Sequence, residues 1–251
     1  MFQIDDELLE RLSRSRHIVI LTGAGVSAES GVKTFRDPDG LWAKLNPAEL
    51  ASIDGFMSNP KVVWQWYKDR WELLKNIKPN PGHYAIAEME RIFPQVTLVT
   101  QNVDRLHQKA GSVNVIELHG NLEDNHCMDC REPFSWDMEP PQSDLPRCKY
   151  CNGIVRPSVV WFGEMLPVGA IEEAERAALL CDIFFCVGTS AEVYPAASLP
   201  YTARRNGAYL VEANPNTTAL SRYANAWLEA PSGIALPLML EEYKKYIEKI
   251  S

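Results

Sequence analysis

The sequence predicts an α/β fold, a Rossmann-like parallel sheet with a smaller lobe made of a zinc ribbon and a helical insertion. Short runs of β-branched and other apolar residues alternate with stretches of helical spacing, which is typical of an open parallel sheet. Two segments interrupt this alternation, and one of them contains two Cys-x-x-Cys pairs. A chain of 251 residues, of which 46% are hydrophobic, is long enough to bury such a core.

The predicted elements follow one another in a regular order. Residues 5–16 have helical spacing, with Leu8, Leu9 and Leu12 on one side. Further helical patterns occupy residues 83–92 and 170–180. The apolar runs expected to form strands lie within residues 17–25, 95–104, 114–120, 181–190 and 208–215. Each run ends in small or polar residues, and ligands of such sheets bind at the carboxyl ends of the strands.

The interruptions define the expected domain organisation. Residues 33–80 are rich in aromatic side chains and form a cofactor loop followed by a helical insertion. Residues 122–155 hold the cysteine pairs and form a zinc-ribbon module. We expect the remaining segments, 1–32, 81–121 and 156–251, to build the Rossmann-like domain, which binds the cofactor.

Charge and composition exclude several classes of function. The net charge of −8 argues against a protein that binds duplex nucleic acid, because phosphate contacts dominate such affinity. No run of about 18 apolar residues occurs, so we expect no membrane span. The first 25 residues lack the features of a secretory signal, which favours a cytoplasmic protein. Four of the six cysteines form two tight pairs, which favours a metal site in a reducing compartment over disulfides.

A glycine-rich turn follows the first predicted strand. The segment GAGVSAESG fits the pattern G-x-G-x-x-A at Gly23, Gly25 and Ala28. Glycines there allow backbone amides to approach a pyrophosphate at a helix N-terminus, although a tight turn without a ligand has the same pattern. No acidic residue stands at the end of a second strand to hold a ribose, and Asn214 at a late strand end is a candidate for that role.

The cysteine spacing predicts a structural zinc site. The two pairs are separated by a segment that suits a tetrahedral site with four thiolates, and such a site leaves no coordination position open for catalysis. The predicted ligands are Cys127, Cys130, Cys148 and Cys151. Cys181 and Cys186 lie in an apolar strand and are expected to be core residues.

Two further strand ends carry candidate catalytic or binding side chains. His119 ends a predicted strand, where it serves either as a general base or as a structural residue. Gln101, Asn102 and Asp104 follow another strand and either bind a ribose and a carboxamide or cap the next helix. Neither pattern decides between its two interpretations alone.

Together these motifs resemble the sirtuins, the NAD-dependent protein-lysine deacylases, in their short bacterial or archaeal form. The similarity extends over nearly the whole chain, and the motifs occur in the family's order and spacing. The segments that carry it are GAGVSAESGVKTFRDPDGLW, TQNVDRLHQKAG, ELHGN, the cysteine pairs, VVWFGEMLP, VGTSAEVYPAA and EANP.

The resemblance implies an NAD site and the role of each residue in it. The residues expected to line the site are Gly23, Ala24, Gly25, Ser27, Gly188, Thr189, Ser190 and Asn214. Arg36 is expected to reach the phosphates, and Phe35 to shield the ribose carbon after nicotinamide leaves. The residues expected to hold the nicotinamide ribose and carboxamide are Gln101, Asn102 and Asp104.

The same resemblance implies the reaction and the substrate. The acyl oxygen of an acyl-lysine attacks the ribose carbon, His119 acts as base on a ribose hydroxyl, and nicotinamide, free lysine and O-acyl-ADP-ribose are released. Residues 161–164 and 192–195 resemble two strands between which a substrate peptide adds as a third. The residues expected to contact the peptide there are Val160, Phe162, Gly163 and Val193. We expect acyl-lysine proteins as partners, neither nucleic acid nor membranes, and a monomer.

Tyr67 and Arg70 stand three residues apart in an aromatic segment and share one face of a helix. Taken alone, the segment is most simply an amphipathic helix with Arg70 in water. A Tyr-x-x-Arg pair in this insertion resembles instead the class III sirtuins, in which the pair binds the distal carboxylate of succinyl, malonyl or glutaryl groups. The sequence therefore predicts a dicarboxylic deacylase with some deacetylase activity. The alternatives are a plain deacetylase, a protein ADP-ribosyltransferase and a zinc-ribbon module that only senses NAD.

Overall fold

The computed structural model describes residues 4–32, 50–135 and 145–250. The helices are α1 (Asp6–Arg14), α2 (Gly25–Ala28), α3 (Ile53–Ser58), α4 (Pro60–Lys75), α5 (Pro81–Ile92), α6 (Leu106–Ala110), α7 (Val168–Leu180), α8 (Leu199–Arg205) and α9 (Ser232–Ile250). The strands are β1 (Ile18–Thr22), β2 (Val96–Thr100), β3 (Val115–Glu117), β4 (Gly120–Cys127), β5 (Pro133–Phe134), β6 (Val155–Val159), β7 (Ile183–Val187), β8 (Tyr209–Ala213) and β9 (Ala226–Leu228).

Six strands form one parallel sheet in the order β3-β2-β1-β7-β8-β9. This is the Rossmann order, in which the direction of strand progression reverses between β1 and β7 and leaves a crevice at their carboxyl ends. The five strands predicted from the sequence all form. The sequence did not predict β9, because three half-buried residues are too short a run to produce a periodic pattern.

The sheet is covered on both faces, so its central strands are buried at every position. On one face, Ile18 and Ile20 pack in a core with Met89 of α5 and with residues of α1 and α9. On the other face, Val19 packs in a second core with Ala174 of α7 and with residues of α8. Alternate side chains of one apolar strand thus belong to different cores.

The smaller lobe consists of the antiparallel sheet β5-β4-β6 and of helices α3 and α4. A third core joins them, in which Phe56 and Tyr67 of the helices pack with Leu122 of β4 and with Trp161. The small sheet extends beyond residues 122–155, since β4 begins at Gly120 and β6 ends at Val159. Its two long strands therefore start and end next to the large sheet.

The C-terminal part of the chain differs from the sequence prediction. The resemblance to the sirtuins implies a loop on the adenine side at residues 231–237, although this segment matches the family pattern poorly. In the structure helix α9 starts at Ser232 and includes Pro237. The Glu29 carboxylate accepts the Gly233 N–H at 2.7 Å and so satisfies an amide of the first turn. Among the described residues, no helix is both long and apolar enough to cross a bilayer.

The loops after β1 and β7 pack so closely that we expect Gly188 to resist substitution. Gly188 has a φ of +57°, and a Cβ there would lie 2.4 Å from the Val26 nitrogen. Gly207 also has a positive φ, +94°, but a Cβ there would meet no atom within 4 Å. Gly207→Ala should therefore cost only backbone strain, about 1–2 kcal/mol. Gly188→Ala should cost roughly 1–3 kcal/mol more because it also overpacks the turn.

Chemical denaturation of the two variants and the wild type measures both free energies of unfolding. Gly207→Ala serves as the control for the effect of φ alone. Equal losses in the two variants would show that the contact between the loops contributes nothing.

Candidate active site

The loops after β1 and β7 meet at the reversal point of the sheet. The Gly25 N–H donates to the Gly188 carbonyl at 2.8 Å, and the Gly23 N–H donates to the Val187 carbonyl at 3.1 Å. A Cβ on Gly25 would lie 2.8 Å from the Gly188 Cα, so only glycine permits this approach. Both glycine amides are thus used within the protein, and the glycines serve the close packing of the crevice walls. Ala24 lies between them in the same turn.

The end of β2 is joined to this turn by buried hydrogen bonds. Asn102 Nδ2 donates to the Gly23 carbonyl at 3.0 Å. The Ser27 hydroxyl donates to Asp104 Oδ2 at 2.7 Å, and the other oxygen of Asp104 accepts the Leu106 N–H at 2.9 Å. Asp104 therefore does bond the first turn of α6, as the capping interpretation predicted. Burial raises the pKa of its carboxyl, opposed by these hydrogen bonds.

Gln101 links β2 to the far side of the crevice. Its Nε2 donates to the Thr189 hydroxyl at 3.0 Å, and Asn214 Nδ2 donates to the Thr189 carbonyl at 3.2 Å. Ser190, the next residue, is half-buried beside them. The polar residues at the ends of β2, β7 and β8 are therefore connected, which is what the convergence of strand ends in a parallel sheet requires.

His119 follows β3 and is oriented by the same loop. Its Nδ1 lies 2.9 Å from the main-chain carbonyl oxygen of Gln101. Because a carbonyl oxygen can only accept, Nδ1 carries the proton, and Nε2 of the neutral ring has a free lone pair. Burial lowers the pKa of the imidazole below its usual 6.5, and the carbonyl contact partly opposes this. His119 is thus a neutral base at neutral pH.

The segment after β6 lies against His119. The Val160 N–H donates to the His119 carbonyl at 2.9 Å, and the Phe162 N–H donates to the Ala51 carbonyl at 2.8 Å. The side chains of Phe162 and Val193 are exposed, at 60% and 49%, and Gly163 has a φ of +87° with open space around it. These two segments therefore offer accessible backbone and apolar side chains beside the histidine.

The expectation that residues 161–164 and 192–195 are regular strands is wrong. In the part of the chain that the structure describes, the first segment makes a single isolated bridge, from Phe162 to Ser52, and then turns. The second segment consists of bends and turns. A strand requires continuous pairing with a neighbour, and within residues 4–32, 50–135 and 145–250 neither segment has such a neighbour.

Tyr67 and Arg70 share the inner face of α4. Tyr67 is buried, and its hydroxyl oxygen accepts the Trp161 indole N–H at 2.9 Å. The Arg70 guanidinium lies over the Trp66 ring, 4.1 Å from its centroid, and the buried Arg70 Nε makes no hydrogen bond. Burial lowers the pKa of Arg70 to about 10, so it stays charged at neutral pH. Arg70 is thus half-buried and not fully solvated, and its role in binding an acyl group stays a prediction.

The four cysteines converge at the far end of the small sheet. All four sulfur atoms lie within 4.8 Å of one another, with neighbouring Sγ–Sγ distances of 3.4–3.5 Å. Sulfurs about 2.3 Å from a tetrahedral zinc would be about 3.8 Å apart, so this donor set fits one ion. Main-chain amides of Asp129, Tyr150 and Gly153 each donate to a sulfur at 3.4 Å, which favours thiolates. The cysteines bind one structural zinc ion.

Four further candidate residues remain, two cysteines that the structure describes and two residues that it does not. Cys181 and Cys186 are buried, and both belong to the second core, as expected. Phe35 and Arg36 lie outside the described residues, so their expected roles stay predictions.

A buried histidine pair that the sequence did not reveal lies next to the end of β1 and to α2. The rings of His83 and His107 lie 4.9 Å apart, and burial lowers their pKa values to about 4 and about 3. His107 Nε2 is 3.0 Å from the Thr22 hydroxyl, and His83 Nε2 is 3.4 Å from that of Ser27. The signal available was the motif PNPGH, since His83 completes a capping box with Asn80 at the start of α5.

Comparison with known proteins gives one consistent result. The chain matches the model of the Sir2 family over residues 23–195. It is 46% identical over 234 residues to "NAD-dependent protein deacylase 2" of Pyrobaculum aerophilum, which covers 93% of this chain and 94% of the relative. A solved Sir2 homolog–NAD complex superposes with a TM-score of 0.91 at 43% identity, covering 98% and 96% of the two chains. A Sir2 complex with a deacetylated peptide and 3′-O-acetyl-ADP-ribose gives 0.87 at 36% identity, covering 94% and 97%.

The zinc site can be tested by removing one exposed ligand. Cys130→Ser should lose the zinc ion and lower the unfolding temperature, because a hydroxyl replaces one of four thiolates in a site that ties β4 to the segment before β6. Metal analysis of the purified protein and thermal unfolding give the two readouts. Cys181→Ala, which removes a core thiol, should keep one zinc ion per chain. A wild type without zinc, or a Cys130→Ser variant that retains it, would contradict the assignment.

Proposed function

Because the chain belongs to the Sir2 family, we propose that it is an NAD-dependent protein-lysine deacylase that prefers succinyl and malonyl groups and removes acetyl groups less efficiently. The NAD-dependent deacylase activity is the one named for its relatives. The preference for dicarboxylic acyl groups is the new part of the proposal. It depends on the small lobe, in which Tyr67 and Arg70 lie on the same helix.

The crevice between β1 and β7 suits NAD, which supplies the ribose carbon that the acyl oxygen attacks. The residues that would hold it are Gly23, Ala24, Gly25, Ser27, Gly188, Thr189, Ser190 and Asn214, with Gln101, Asn102 and Asp104 at the nicotinamide end. The His119 Nε2, left free by the Nδ1 contact, accepts the proton of a ribose hydroxyl. The accessible segments around Phe162 and Val193 would hold the substrate peptide.

The observation that carries the acyl preference is the state of Arg70. Its guanidinium is partly shielded from water, with Nε buried, stays charged, and has no carboxylate partner among the described residues. A buried cation without a counter-ion is costly, and an anionic ligand relieves that cost. The distal carboxylate of a succinyl or malonyl group is such an anion, and a guanidinium binds it through a forked pair of donors.

The expected free energy of the contact between Arg70 and a carboxylate predicts a preference for dicarboxylic acyl groups and not the exclusion of acetyl groups. A charge-assisted hydrogen bond contributes about 1.5–3 kcal/mol, which corresponds to roughly 10- to 150-fold in discrimination. An acetyl group is smaller and fits the same space, but leaves Arg70 without a partner. A plain deacetylase would have no use for a buried charge at this position.

A protein ADP-ribosyltransferase is the second candidate, because it would use the same NAD crevice. The orientation of His119 favours deacylation, since a neutral base is needed to move the acyl group onto a ribose hydroxyl. Transfer of label from NAD onto protein, with no loss of acyl groups from lysine, would favour the transferase. The monomeric state and cytoplasmic location stay predictions from the sequence.

Arg70→Met tests the acyl preference. The variant should lose desuccinylation while deacetylation is largely kept, because methionine fills the space without offering a charge. The measurement is kcat/KM for two peptides of one sequence that carry succinyl-lysine or acetyl-lysine. Lys68→Met, which removes a charge that is paired with Glu72 on the same helix, should leave the ratio of the two values unchanged. Equal losses of both activities in Arg70→Met would contradict the proposal.

The pH dependence tests the role of His119. Protonation of Nε2 removes the base, so kcat/KM should fall as pH decreases through the imidazole pKa. Burial lowers that pKa, so the midpoint should lie below 6.5. An acetyl-lysine peptide assayed from about pH 5 to about pH 8 avoids the titration of a substrate carboxylate. A midpoint at or above 6.5, or an unchanged acid limb in His119→Ala, would refute the assignment.

A further inference from the structure

The hydroxyl of Tyr67 is oriented by a single neighbour. Trp161 Nε1 lies 2.9 Å from the Tyr67 oxygen, and both side chains are almost fully buried. An indole N–H can only donate, so it occupies a lone pair of the hydroxyl. The tyrosine proton must therefore point away from Trp161. Among the described residues, the structure gives this proton no acceptor.

Trp161 itself is held by a buried ion pair. The Arg156 guanidinium lies 3.5 Å from the centroid of the Trp161 ring, and Arg156 is 4% exposed. Both terminal nitrogens of Arg156 donate to the Glu164 carboxylate, at 2.5 and 2.8 Å. The main-chain N–H of Trp161 donates to the same carboxylate at 2.8 Å. The ion pair thus fixes both the backbone and the ring of Trp161.

Two unused donors therefore face one region of the small lobe. The Tyr67 proton has no acceptor, and the neighbouring Arg70 guanidinium has no anion among the described residues. The two side chains are close enough to influence each other's ionisation. A carboxylate placed between them would satisfy both, because each of its oxygens accepts hydrogen bonds.

We propose that Trp161 is a positioning residue for acyl specificity, because its indole N–H turns the Tyr67 hydroxyl into a donor directed at the distal carboxylate of the acyl group. The Arg156–Glu164 ion pair holds the indole in place. This inference rests on the proposed dicarboxylic acyl preference. It adds a residue outside the Tyr-x-x-Arg pair, reached through a contact between positions 94 residues apart.

The segment that contains Trp161 also contacts His119, the proposed base. Val160, which precedes Trp161, donates its N–H to the His119 carbonyl. One short stretch of chain therefore fixes the distance between the base and the pocket for the far end of the acyl group. A displacement of this stretch would affect both, whereas loss of the indole N–H alone should affect only the pocket.

A purely structural role for Trp161 makes a different prediction. Its ring packs with Phe56, 5.0 Å between centroids, and with Tyr67 at 6.3 Å. If packing were the whole role, a phenylalanine would change stability and would affect all acyl substrates alike. Trp161→Phe keeps an aromatic ring below Arg156 but removes the N–H donor; the packing change that it also causes should affect both acyl substrates alike, so the ratio of the two activities separates the two roles.

The experiment is a double-mutant cycle of Trp161→Phe and Tyr67→Phe, with succinyl-lysine and acetyl-lysine peptides of one sequence. Trp161→Phe should lower the succinyl-to-acetyl ratio of kcat/KM about five- to tenfold, mainly through KM for the succinyl peptide. The double variant should lower the ratio no further than Tyr67→Phe does. Trp71→Phe, a change to another tryptophan near the pair, should leave the ratio unchanged. An unchanged ratio in Trp161→Phe, or losses that multiply in the double variant, would overturn the inference.

A second readout follows the hydrogen bond without any substrate. The chain has seven tryptophans, and Trp161→Phe identifies the indole N–H resonance of Trp161 in a ¹⁵N-labelled sample. Tyr67→Phe should shift that resonance upfield, because its acceptor is gone. A resonance that does not move would show that the bond is absent, and the inference would fail. Tyr67→Phe leaves Trp161 in place. Trp161→Phe is therefore needed only to assign the resonance, and the measurement itself is made on the wild type and on Tyr67→Phe.

The outcomes also separate this inference from the proposed function. If the wild type and Arg70→Met give the same succinyl-to-acetyl ratio, the proposed function fails and the inference fails with it. If Arg70→Met lowers the ratio but Trp161→Phe does not, only the role of Trp161 is refuted.

Discussion

The hydrogen bond from the Val160 N–H to the His119 carbonyl determines how the two lobes are joined. His119 follows the edge strand of the large sheet, and β4 of the small sheet begins at the next residue. Gly120, with a φ of +67°, crosses so near β6 that a Cβ would lie 2.0 Å from the Ser158 carbonyl oxygen. Only glycine permits this crossing, and the crossing places His119 beside the segment that follows β6.

Two arginines of the small lobe, the buried Arg156 and the half-buried Arg70, differ in how their charges are compensated. Arg156 is paired with Glu164 in a bidentate contact and also lies over the Trp161 ring, so its charge is compensated. Arg70 lies over the Trp66 ring but has no carboxylate among the described residues. The first arginine stabilises the architecture, whereas the second one is available to a ligand. The two arginines thus differ in whether a carboxylate of the described residues pairs with them.

The sequence predicted much of the fold because the relevant signals are local. Five strands appear as apolar runs since both faces of a parallel sheet are covered, and the zinc ligands appear through their spacing. The prediction failed where the stabilising contact is distant. Residues 232–237, implied to be a loop, form the start of α9, whose first turn is stabilised by Glu29, 204 positions away. The substrate segments were expected to be strands, although pairing partners for a whole strand are lacking among the described residues.

The candidate site divides in the same way. The sequence by itself determined which side chains stand at the strand ends, including His119, because each apolar run that ends in small or polar residues marks the end of a strand. Only the tertiary structure decided their chemical state. The Gln101 carbonyl fixes the tautomer of His119, and the packing of α4 buries Tyr67 against Trp161 and leaves Arg70 half-buried over the Trp66 ring. Protonation, burial and the presence of a counter-ion depend on atoms brought together from separate segments, and no spacing within one segment encodes them.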